Sequence, residues 1–198
     1  MPLPTPQPEL VLASGSRYRR ELLARLRLPF RMISPAIDES ARPGEGPRSL
    51  AQRLAAEKAA AAATHAADAW VVGSDQLAAS AERVLGKPGG REACIEQLRY
   101  ASGRTIEFMT ACCVTRQSTR EMFQHIDTTR VRFRALKAEE IERYVDAEQP
   151  YDCAGGFKCE GLGIALFESI ESRDPTALIG LPLIWLAGAL RGCGFHLP

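Results

Sequence analysis

The stretch LVLASGSRYRRELLARL, residues 10 to 26, opens with an apolar run and breaks at Ser14-Gly15-Ser16. It then resumes with Leu22, Leu23 and Leu26 at helical spacing, with basic residues on the other face. This reads as a strand, a tight turn and a helix. Small residues after the strand let the backbone approach a ligand, and the helix start offers unpaired N–H groups at the positive end of its dipole. Phosphate suits such a place, with Ser14, Ser16, Arg19 and Arg20 as further donors. The same string is also explained if Ser16 is only an N-cap and the arginines form a solvated face.

Outward from this unit the text keeps alternating between strand and helix. FRMIS (30 to 34) alternates as a strand, PAIDESARPGEGPRS is a loop, and an alanine-rich helix runs from about Ser49 to Ala67. Its repeated alanines express helix propensity rather than disorder. AWVVGS (69 to 74) is a buried strand running into Asp75-Gln76, ERVLGKPGG is a strand or hairpin ending in a turn, and REACIEQLRY is a helix. From Thr105 to Phe133 two β-prone segments flank the polar RQST and predict a long antiparallel pair. KAEEIERYVDAE is an amphipathic helix, CAGGFKCEGLGIALFESI a glycine-punctuated loop and strand, and DPTALIGLPLIWLAGALRGCG a short turn and the last helix. The class is α/β, and no Pro/Gly/Ser linker divides the chain, so one domain over residues 1–198 is expected.

Twenty-five lysines and arginines against 24 acidic residues give a formal charge of +1, which leaves no global attraction to a nucleic-acid polymer or a membrane surface. Any basic site must be local. The opening MPLPTPQPEL lacks the charged start and apolar stretch of a secretion signal, and no segment approaches about 18 apolar residues. A soluble, cytoplasmic protein is expected. Six cysteines (94, 112, 113, 153, 159, 193) form no C-x-x-C pair, so reduced thiols are expected rather than a structural zinc site. His65, His125 and His196 are scattered and suggest no triad. Trp185 in GLPLIWLAGAL reads as helix core or a subunit contact.

The chemically interesting residues are individually bland. IDES places Asp38 and Glu39 in a loop, AAEKAA sets Lys58 alone in the alanine-rich helix, and GKPGG puts Lys87 in a turn. Asp75 stands out, because it follows VVGS at the carboxyl end of a central strand, where open α/β sheets gather their ligands. Together they supply carboxylates for a divalent metal and a base, with cations for a polyphosphate, which is the equipment of metal-assisted phosphoanhydride chemistry.

In this order and spacing, LASGSRYRRELL, DES, AAEKA, GSDQ, GKP, AGGFKCEGLG and LIGLPL resemble the Maf family of nucleoside triphosphate pyrophosphatases, the septum-formation inhibitor proteins. The resemblance runs from about Leu10 to the last helix. Asp75-Gln76, Glu160-Gly161 and the aromatic Tyr18 look like the YceF-type subfamily, associated with hydrolysis of 7-methyl-GTP, rather than the common dTTP/UTP branch, which reads Asp-Thr and carries glutamine before the late glycine. One departure is Arg17, which stands where the family usually has proline.

The resemblance implies a fold shared with inosine triphosphate pyrophosphatases, a mixed sheet with flanking helices and two lobes around a cleft, often homodimeric. It implies that Asp75 is the proton acceptor, that Ser14, Arg19, Lys58 and Lys87 surround the phosphates, and that Glu39 with Asp75 lies at a divalent metal such as Mg²⁺, Mn²⁺ or Co²⁺. Tyr18, Gln76 and Glu160 match the positions that set base specificity. Physical chemistry agrees: N7-methylation makes guanine cationic, so an aromatic ring gains by stacking on it and a carboxylate by pairing with its N1–H and N2–H edge. Against this, Tyr18 would merely pack on its helix and Glu160 would pair with Lys158. The expected reaction is attack at the α-phosphate, giving a nucleoside monophosphate and pyrophosphate. The alternatives are a dTTP/UTP pyrophosphatase, or a nucleotide-binding regulator of cell division with little turnover. Asp75 and the cations favour an enzyme.

Overall fold

The computed structural model describes residues 7–81 and 83–198, so the readings of residues 1–6 and of Glu82 lie outside the described residues. Strand β1 (Leu10–Ala13) is wholly buried and leads through the Ser-Gly-Ser turn into helix α1 (Arg17–Ala24), which buries Leu22 and Leu23. Leu26 lies beyond the helix yet packs on the same core. Strand β2 (Arg31–Met32) is shorter than the FRMIS segment suggests. It is an edge strand with β1 as its partner, both of its side chains are exposed, and the chain soon meets Pro35, which has no N–H for a ladder.

Helix α2 (Pro47–Ala63) starts and stops earlier than its alanine content implies, because Pro47 opens the first turn after Gly46, where its missing N–H costs nothing, and Thr64 caps the end. The alanines do more than favour helix. Ala51, Ala55, Ala59 and Ala62 are fully buried in one stripe that lets α2 lie against strand β3 (Trp70–Ala79). The approach is closest at Gly73, where an added Cβ would stand 2.3 Å from the Ala55 carbonyl oxygen and 2.7 Å from the Ala59 nitrogen.

Next come β4 (Val84–Leu85), α3 (Arg91–Ala101), β5 (Thr105–Arg116), β6 (Glu121–Phe133) and α4 (Ala138–Glu148). β5 and β6 form the long antiparallel pair, in register from Thr105↔Arg132 to Arg116↔Glu121. Short 3₁₀ turns at Ala154–Gly156 and Leu162–Leu166 precede β7 (Phe167–Glu171), and another at Ala177–Ile179 precedes α5 (Leu183–Gly192). The strands make one mixed sheet in the order β2-β1-β3-β5-β6-β7, with β4 paired to β3. β1 is parallel to β2 and β3, and the other pairings are antiparallel.

Val71, Ala111 and Cys113 of the long strands pack with the α2 alanines, and on the strands' other face two further apolar clusters divide their length. One joins Leu10, Val72 and Val114 to Leu186 and Leu190 of α5, while the other joins Ala78, Phe108 and Phe133 to Leu98 of α3 and Ile141 of α4. Ile179 packs on the first and Leu178 belongs to the second, and a cleft opens where the two meet. No helix among the described residues is long and apolar enough to cross a membrane.

Candidate active site

Successive side chains of a strand point to opposite faces. On β3 this sends Gly73 and Asp75 toward α2, and Ser74 and Gln76 to the other side. Asp75 is buried, and its Oδ1 accepts a hydrogen bond from Lys58 Nζ of α2 at 2.6 Å. The same Nζ lies 2.8 Å from Oε1 of Glu39. Lys58, expected around phosphates, is therefore clasped between two carboxylates, and it screens Asp75 from the cleft. Burial raises the pKa of Glu39, but the hydrogen bond and charge of Lys58, with the charges of Lys87 and Arg19, outweigh this and bring it below the ordinary value. Lys87 lines the same cleft and makes no ion pair among the described residues. Asp38 serves the loop instead, accepting the Ser40 N–H at 2.9 Å.

Among the described residues no three histidine, cysteine or acidic side chains converge as a metal cage. The donor set is a pair of carboxylates sharing one cationic partner, Glu39 and Asp75. That fits a hard divalent ion of the magnesium type, which is held by one or two carboxylates and completed by substrate phosphates.

The Ser14–Ser16 turn faces this pair across the cleft. Ser16 caps α1, its Oγ accepting the Arg19 N–H at 3.4 Å, and Ser14 Oγ accepts from Ser16 N at 3.1 Å. The cap sets the helix start at Arg17 without a proline. Arg19 turns inward: Nε donates to the Gly180 carbonyl at 3.0 Å and Nη1 to Ser14 Oγ at 3.5 Å. Burial lowers its pKa, opposed by the charges of Asp75 and Glu39. Arg20 is exposed, a solvated residue as the plainer reading has it.

At the far end of the cleft, Tyr18 donates to Asp152 Oδ1 at 3.3 Å and accepts from Arg17 at 2.7 Å, with the Arg17 guanidinium 4.7 Å over its ring. Phe108 and Phe157 meet edge to face at 5.2 Å and supply an apolar wall. The AGG turn makes that wall possible, because Gly155 has a φ of 76° and an added Cβ there would crowd Phe108 at 3.0 Å. Glu160 is exposed and is not paired with Lys158, whose Nζ donates to the Glu148 carbonyl at 2.7 Å.

Cys153 and Cys159 also line the cleft, and burial pushes both thiols up to about 12. At pH 7.5 their thiolate fraction is roughly a thousandfold below that of an ordinary thiol. Iodoacetamide is expected to label neither at an appreciable rate in native protein and both after unfolding in urea. Fast native labelling at either position, mapped by peptide mass, would contradict this environment.

On the opposite face of β3, Ser74 Oγ reaches the carbonyls of Ala111 and Gly180, and the Gln76 amide reaches Ala177 and Leu178. Asp174 fixes the same turn: its carboxylate accepts from Thr176 N at 2.9 Å and from Ile184 N, at the start of α5, at 2.6 Å. Asp152, Thr110 and Asp174 were not singled out by sequence reasoning. Asp152 had a signal in its place directly before Cys-Ala-Gly-Gly, and Asp174 in an Asp-Pro-Thr turn. Thr110 had none, since only the strand register sets it opposite Gln76. The cleft measures about 470 Å³ and is lined by Ser14, Tyr18, Arg19, Glu39, Lys58, Gln76, Lys87 and Glu160, with Asp75 one hydrogen bond behind Lys58.

A family model described as Maf-like protein matches residues 9–193. A protein of Xanthomonas axonopodis pv. citri (strain 306), named 7-methyl-GTP pyrophosphatase, is 54% identical over 191 residues, covering 96% of this chain and 100% of the relative. Relatives with the same name in Xanthomonas oryzae pv. oryzae (strain MAFF 311018) and Alcanivorax borkumensis are 56% and 49% identical, each over 96% of this chain and over 100% and 97% of their own lengths.

Proposed function

Because the chain belongs to the Maf-like protein family, we propose that it is a nucleoside triphosphate pyrophosphatase acting as one domain over residues 1–198, with 7-methyl-GTP as substrate. The observation that carries this reading is the pairing of Asp75 and Glu39 around one buried cation, at one end of a cleft whose other end offers Tyr18, Asp152 and Glu160. The first end suits a polyphosphate and the second a positively charged base.

Asp75 takes the proton of a water that attacks the α-phosphorus. The bond from that phosphorus to the bridging oxygen breaks, and pyrophosphate leaves with the bond electrons. Ser14, Arg19 and Lys87 hold the phosphates and neutralise charge as it develops on the leaving group. Lys58 swings on its flexible stem from the carboxylates toward phosphate oxygens, uncovering Asp75. Glu39 and Asp75 would hold a divalent cation, which when bound neutralises phosphate charge and makes water a better nucleophile. Tyr18 offers the ring face not covered by Arg17 to the methylated base, and Asp152 offsets the Arg17 charge beside it.

The test is pyrophosphate release from 7-methyl-GTP, GTP, UTP and dTTP in Mg²⁺, Mn²⁺ or Co²⁺. Preference for 7-methyl-GTP is expected; preference for UTP and dTTP would install the other branch's specificity, and no release would leave a nucleotide-binding regulator. Glu160→Gln should lower kcat/KM for 7-methyl-GTP by roughly tenfold and for UTP far less, since a charge-assisted contact is lost at nearly constant shape. Equal losses on both substrates would remove Glu160 from base selection.

A further inference from the structure

We propose that Thr110 is a positioning residue for base selection: together with the main-chain carbonyls of Ala177 and Leu178 it locks the Gln76 amide so that only the carbonyl oxygen of Gln76 is left to meet the base. The reading rests on the function proposed above. Gln76 Nε2 lies 2.9 Å from Thr110 Oγ1, 3.0 Å from the Ala177 oxygen and 2.9 Å from the Leu178 oxygen. Turning the amide over would set its oxygen against two carbonyl oxygens, so the orientation is fixed by repulsion as well as by bonding.

Thr110 completes the lock. It is fully buried, sits directly opposite Gln76 across the β3–β5 pair, and spends its own hydroxyl proton on the Ala177 carbonyl at 2.9 Å. With that proton committed, Thr110 Oγ1 faces Gln76 as an acceptor; the amide has two N–H bonds for its three acceptors, so one is shared, and Thr110 holds the nitrogen against the turn from the β5 side while its own hydroxyl fixes the Ala177 carbonyl. Gln76 Oε1 makes no hydrogen bond among the described residues, and Gln76 lines the cleft.

This end of the cleft therefore shows a base acceptors from Gln76, Asp152 and Glu160. Guanine carries adjacent N–H donors at N1 and N2, whereas a uracil edge sets carbonyls on both sides of its one N–H. An acceptor that cannot turn over favours the first. The phosphate end is held at the Gly180 carbonyl by Ser74 and Arg19, and because the Gly180 N–H shares the Ala177 carbonyl with Thr110, the UTP titration is the measure of any disturbance carried that way.

The experiment compares wild type, Thr110→Val and Thr110→Ser by calorimetric titration with 7-methyl-GTP and with UTP in EDTA, where no turnover interferes. Thr110→Val should weaken 7-methyl-GTP by roughly five- to tenfold and UTP by less than about twofold, and Thr110→Ser, which keeps the hydroxyl, should return to near the wild-type preference. Equal weakening of both nucleotides, an unchanged preference, a serine variant as weak as the valine variant, or a wild type with no preference would each overturn the proposal. If Thr110→Val gives no cooperative melt, Thr110→Ala takes its place, since it removes the hydroxyl without adding bulk; it should lose the same preference, and its retention would overturn the proposal equally. Pyrophosphate release by wild type in Mg²⁺, run in parallel, reports on the reaction alone, so failure of catalysis and failure of base selection are read separately.

Discussion

Replacing Asp75 by asparagine is expected to cut pyrophosphate release by about 10²- to 10⁴-fold while the protein stays folded. The amide keeps the volume and can still accept from Lys58 Nζ, which now sits 2.6 Å from Asp75 Oδ1, but it cannot take up a proton. Lys58 also keeps Glu39 at 2.8 Å, so no buried charge is left alone. The stability cost is confined to the difference between a charged and a neutral acceptor, about 1–3 kcal/mol. Pyrophosphate release measured beside a urea melt separates the two effects. A folded Asp75→Asn variant with near-wild-type turnover would remove Asp75 from the chemistry.

The largest loss of stability is expected at a residue that touches no substrate. Gly73→Ala puts a methyl 2.3 Å from the Ala55 carbonyl oxygen and 2.8 Å from the Ala59 Cβ, contacts that only a shift of α2 can relieve. Overpacking against a helix backbone should cost about 2–4 kcal/mol, which lowers Tm by roughly 5–15 °C in a chain of this size. The helix that must move carries Lys58, so the carboxylate pair is disturbed at the same time. Gly192→Ala, at the end of α5 with nothing within 4 Å of the added carbon, is the matched control and should melt with the wild type. Equal melting of the two variants would mean that α2 does not bear on Gly73.

Much of the fold was legible because it is written in local patterns. The opening strand, turn and helix, the buried strand ending at Asp75 and the β5–β6 pair announce themselves by periodicity and by turn residues. FRMIS alternates as a strand should, but alternation says nothing of how many partners a strand finds, and β2 finds β1 for Arg31 and Met32 before the chain leaves toward Pro35. The alanines of α2 were readable as helix formers and not as a contact surface, since that role depends on Gly73, which is distant in sequence. The site divides in the same way. Asp75, Glu39, Lys58 and Lys87 sit in recognisable strings, whereas the clasp of Lys58 and the lock on Gln76 join residues 17 to 102 positions apart, which no window along the chain can see.

The alternation of β3 bears on how such a protein can change over generations. Asp75 and Gln76 are neighbours in the chain, yet one faces α2 and the other the 177–180 turn. If Gln76 meets the base as proposed, a lineage can exchange residue 76 and drift to another base without altering the acid beside it. Insertions and deletions are a different matter: one residue gained or lost between Gly73 and Asp75 would swap the two faces, burying the carboxylate against the turn and the amide against the helix. Point substitution is the open route to new substrates here, and change of length in this strand is closed.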